Sequence, residues 1–78
     1  MASTPESDPT TLSRLTNREC EVLRRAALGE TNAQIAVALG VTVHAVKFHL
    51  ASVFRKLGVS NRTSAAAVYL AGIGRHAA

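Results

Sequence analysis

Three times this chain repeats one device: leucine, glycine, a variable residue and then a hydroxyl residue, as LGET at 28–31, LGVT at 39–42 and LGVS at 57–60. Glycine enters the left-handed backbone region that closes a helix, and threonine or serine offers an oxygen to the free N–H groups opening the next one. Thr16 adds a further start, because Thr16 and Glu19 spell a capping box, with Leu15 placed to staple against Cys20. Thr31 and Gln34 repeat that box. The marks predict helices over about 17–28, 32–39, 43–57 and 61–72, at intervals too irregular for a solenoid repeat. The expected fold is all-α, a four-helix bundle containing a helix-turn-helix without a wing. The second and third predicted helices are separated only by Gly40, Val41 and Thr42, the plan in which the second helix of a pair enters the DNA major groove.

With 78 residues, 47% of them apolar, the chain suits one small domain. Residues 1–14 read as a disordered polar linker or an appended segment without the basic-then-apolar order of a signal peptide, 15–73 as the domain, and 74–78 as a tail. The apolar run at 65–73 is far short of the roughly 20 residues that span a bilayer. One cysteine excludes a disulfide within the monomer and leaves no Cys/His zinc spacing. Cys20 is expected to be a buried structural thiol in a reducing, cytoplasmic setting. His44 and His49 point roughly 140° apart on a helix, unlike a zinc-binding pair, so no metal is expected. No cofactor is expected, and no nucleophile, base and orienting group converge, so the chain does not read as an enzyme.

Net charge is +4, and residues 31–78 contain no Asp or Glu. Lys47, Arg55, Lys56, Arg62 and Arg75 lie in that half, a footprint that suits a polyanion, although a basic face serving only solubility fits the same charges. At about 100° per residue, Val46, Leu50, Val53 and Leu57 form one seam of the third helix, flanked by Val43 and Phe54. The opposite sector holds His44, Phe48, Ala51 and Arg55, flanked by Lys47 and Ser52. Phe48 reads either as part of that outward face or as a core residue packed on another segment. Thr42, as N-cap, aims the positive end of the helix dipole outward, where a phosphate is accommodated. His49 is expected to border the core with one ring nitrogen bonded to backbone. Arg55, Lys56 and Arg62, with the helix termini, are expected to neutralise phosphates. On the fourth helix Ala65, Tyr69 and Gly72 face the core, with Val68 and Arg62 on the flanks. Thr63, Ala67, Leu70 and Ala71 lie opposite, as a candidate dimer interface.

LTNRECEVL at 15–23, GETNAQIAVALGVTVHAVKFHLASVFRKLGV at 29–59, and Arg62 with Ala65 together resemble the LuxR-type (FixJ/NarL-type) DNA-binding domain. The resemblance implies a bacterial transcriptional regulator that binds double-stranded DNA, commonly as a homodimer through the fourth helix, with a sensor or receiver domain ahead of it. It marks Lys47 as a base or phosphate contact, places Phe48 and Ala51 towards the groove, and includes Asn32 among the DNA-binding positions. Ala51 stands where such domains often carry a basic or amide side chain, and Ala33 where they often carry lysine. Region 4 of a sigma factor shares the Leu-Thr opening and the helix-turn-helix, but typically ends soon after the recognition helix. A helical module for protein interaction, with a merely solvated basic face, is the alternative of a different class.

Overall fold

The computed structural model describes residues 10–77, with side chains from 12 to 73. The elements run α1 (Thr10–Ser13), α2 (Asn17–Ala27), α3 (Asn32–Leu39), α4 (Val43–Leu57) and α5 (Arg62–Ala77), with no strand among the described residues. Thr16 accepts from the Glu19 amide while the Glu19 carboxylate accepts from the Thr16 amide; Thr31 and Gln34 do the same at the start of α3. Gly40 and Gly58 close α3 and α4 at φ of 67° and 71°.

Three boundaries differ from expectation. Thr10–Ser13 is helical and Leu12 packs on the core, so the ordered unit begins before residue 15, inside the stretch read as linker. Residues 1–9 of that stretch lie outside the described residues. α5 starts from Asn61, whose side-chain oxygen accepts from the Ser64 amide at 2.8 Å, and not from Ser60. It continues to Ala77, through most of the expected tail; residue 78 lies outside the described residues.

The core has two halves. Val22, Ala26, Ile35, Ala36, Val46 and Leu50 hold α2, α3 and the first half of α4 together. Leu15, Leu23, Val53, Leu57, Ala65 and Val68 join α2, the second half of α4 and α5, and Phe54 packs against both groups. Leu15 and Cys20 share this second group, as the staple requires. α4 is therefore gripped along its whole length by the Val46–Leu50–Val53–Leu57 seam, all four at most 5% exposed. α3 and α4 differ in direction by 106° across the Gly40–Thr42 turn, so the outer side of α4 projects from the bundle. No single described helix is long and apolar enough to cross a membrane.

Candidate nucleic-acid interface

The outward face of α4 is built by the residues its periodicity selects. His44, Lys47, Phe48, Ala51 and Arg55 are all exposed, and Phe48 is 70% exposed, which excludes a core role for that ring within the described residues. Val43, placed at the flank of the seam, is also exposed. The Phe48 ring meets half-buried His49 edge-on, with centroids 5.9 Å apart. No backbone hydrogen bond to the His49 ring occurs among the described residues, contrary to expectation: its neighbour is an aromatic edge instead. Exposed Thr42 takes the Ala45 amide on its hydroxyl at 3.0 Å. The amides of Val43 and His44 keep no protein partner among the described residues, so two free donors stand beside the Thr42 cap at the positive end of the helix dipole.

Four residues sit elsewhere than expected. Ser52, read as a flank of the outer face, is buried and donates to Glu19 Oε2 at 2.7 Å. Lys56 is not a free cation, because its Nζ lies 2.8 Å from Glu19 Oε1. Arg62 donates to Asn32 Oδ1 at 2.8 Å and to the Glu30 carbonyl, clasping the start of α5 to the start of α3. Asn32 and Arg62 are both half-buried and spend polar groups on each other.

Glu19 has a second structural role, beyond its capping box, that the sequence pattern did not bring out: it holds Ser52 and Lys56 of α4. Burial pushes its pKa up, but the Lys56 ammonium, the Thr16 amide and the Ser52 hydroxyl outweigh that and hold it at about 2. Its signal was present: Glu19 precedes Val22, Leu23 and Ala26 at the spacing of one buried helical stripe, and an acid on such a stripe requires partners. The Ser52 oxygen also accepts from Arg55 Nη2 at 3.3 Å, so a chain of contacts runs from α2 to an exposed arginine of α4. Burial and the nearby Glu19 charge raise the Cys20 thiol pKa, keeping it protonated.

The other acids of the domain are also consumed. Glu21 pairs with Arg24 and Arg25 at 2.8 and 2.9 Å, and Glu30 with Arg25 at 3.3 Å. No ion pair cancels Lys47 or Arg55 among the described residues, which leaves α4 with uncompensated positive charge. A depression of about 290 Å³ next to this face is lined by Leu50, Ala51 and Phe54 together with Asn32, Lys47 and Arg62.

A helix-turn-helix with a projecting cationic second helix defines a DNA-binding domain. Residues 13–69 match the family of bacterial regulatory proteins named for LuxR, and the chain belongs to it. Its relatives are transcriptional regulators, not enzymes, which also removes the sigma-factor alternative. The quorum sensing-dependent transcriptional regulator RpaR of Rhodopseudomonas palustris is 51% identical over 59 residues, covering 76% of this chain and 24% of that protein. The putative transcriptional regulator YhjB of Escherichia coli is 45% identical over 64 residues, covering 82% and 32%. The nitrate/nitrite response regulator NarP, also of Escherichia coli, is 42% identical over 65 residues, covering 83% and 29%. The chain thus spans between about a quarter and a third of these relatives.

Proposed function

We propose that this chain is the DNA-binding unit of a bacterial transcriptional regulator that lays α4 in the major groove of duplex DNA. The observation that carries this reading is the outer side of α4: exposed His44, Lys47, Phe48, Ala51 and Arg55 on a helix whose opposite side is fully engaged in the core. Lys47 and Arg55 face phosphates or base edges, and the amides beside Thr42 receive a backbone phosphate. Lys56, Asn32 and Arg62 hold the frame that aims α4. The unit pairs on DNA through α5, where Thr63, Ala67, Leu70 and Ala71 are exposed. A sensor or receiver domain ahead of it supplies the signal, and the assembly works in the cytoplasm, where bacterial DNA lies.

Titration into random-sequence duplex over a salt series tests the reading. Two neutralised phosphates, one each for Lys47 and Arg55, give a slope of log affinity against log salt near −2 at about −0.9 per contact. Lys47→Ala should flatten that slope by about one contact, or cost about 1–3 kcal/mol at a selected operator if the lysine reads a base, with the thermal midpoint unchanged. A flat salt response by the parent protein refutes DNA binding through this face.

A further inference from the structure

Apart from Lys47 on its flank, the middle of the α4 face lacks the chemistry that most base reading uses. His44, Phe48, Ala51 and Arg55 fall on one narrow stripe, polar at its two ends and apolar between them. With α4 laid in a groove about 12 Å wide, the stripe opposite the buried seam points at the base edges. The apolar middle then faces the floor of the groove. Phe48 is 70% exposed there, its ring held edge-on by half-buried His49. Ala51, one turn on, has a side chain with no donor or acceptor and lines the same depression as Leu50, Phe54, Lys47 and Arg62.

Every base edge in the major groove presents hydrogen-bonding groups, but only thymine among the four standard bases also presents an apolar group, its C5-methyl. A cytosine in the same place would bring an amino donor against surfaces unable to accept it, leaving that donor desolvated and unpaired. We propose that Phe48 and Ala51 are specificity-determining residues that read thymine C5-methyl groups in each half-site. The flanking cations supply affinity that does not depend on this contact. The proposal rests on α4 being the DNA-reading helix and adds which base chemistry it reads.

The test starts by selecting bound duplexes from a random pool and then replacing, one at a time, each thymine of the selected half-site by deoxyuridine, which lacks only the methyl. At one or two positions the parent protein should lose affinity about fourfold per methyl, the change expected for uncovering one methyl-sized apolar group. Phe48→Ala, folded by circular dichroism, should bind the thymine duplex more weakly and lose part or all of the thymine-deoxyuridine difference. Lys47→Ala should weaken both duplexes and keep their ratio. Equal binding of thymine and deoxyuridine duplexes by the parent protein, or a selected site without thymine, overturns the methyl reading while leaving α4 as the DNA contact. A methyl effect that Phe48→Ala and Phe48→Gln both leave intact, with Ala51→Gly equally silent, overturns the assignment to these residues. Absence of salt-dependent binding to any duplex removes the underlying reading itself.

Discussion

Glu19 shows how one residue can serve two structures. Its carboxylate completes the capping box of α2 and, from a buried position, holds Ser52 and Lys56 of α4. In the unfolded chain the group titrates near 4.5 and in the fold near 2, so its contribution to stability is complete above pH 4.5 and is lost as pH falls towards 2. Glu19→Gln should therefore cost about 1–3 kcal/mol at neutral pH, the scale of hydrogen bonds to a charged group. Chemical unfolding of both proteins across that acidic window should show the difference shrinking as the parent becomes protonated; a constant difference contradicts the assignment. The capping half of this role was legible, because Thr16 and Glu19 are neighbours in sequence. The core half was not, because Lys56 lies 37 residues away and no local pattern brings the two together. The same division explains the interface: His44, Lys47, Phe48, Ala51 and Arg55 follow from the period of one helix, whereas the engagement of Lys56, Arg62 and Asn32 depends on contacts between helices.

At the scale of elements, start and stop chemistry located α3 and α4 at their observed limits, because two threonine caps and two left-handed glycines act locally. α1 escaped notice since four residues carry no periodicity; Leu12 contributes to the core only through tertiary contact. α5 outran its expected end for a related reason. Gly72 resembles a stop signal, yet it is a buried helical position where an added Cβ would overlap the Leu12 side chain. The glycine makes room for α1 at the expense of helix propensity. Gly72→Ala alone should stabilise by less than the roughly 1 kcal/mol that alanine gains over glycine within a helix, since Leu12 must shift. In a Leu12→Ala background the full gain should appear, so thermal or chemical unfolding of the four proteins should give a coupling between the sites. Strict additivity would show that α1 does not pack there in solution.

At the scale of the whole molecule, the core engages one side of α5 and leaves the other open. Ala65, Val68 and Gly72 are buried, while Thr63, Ala67, Leu70 and Ala71 are exposed, Leu70 by 56%, with Ile73 at 42% beside them. A single exposed leucine is ordinary on a protein surface. Here it stands among alanines, whose small side chains let a second helix approach closely, and a two-fold pairing makes the same patch face itself. Such a pairing sets two copies of α4 about one DNA turn, roughly 34 Å, apart, so that two half-sites are read together. Because α5 presents so little apolar surface, the expected free state is a monomer at low concentration that pairs when both half-sites are present. Leu70→Glu places a charge within the patch proposed to pair, without touching the core. It should leave the unfolding free energy within about 0.5 kcal/mol of the parent. Binding to a single half-site should persist at its weak level, while cooperative binding to a paired operator should disappear in a quantitative gel-shift titration. Cooperative occupancy by a folded Leu70→Glu protein would move the interface to another surface.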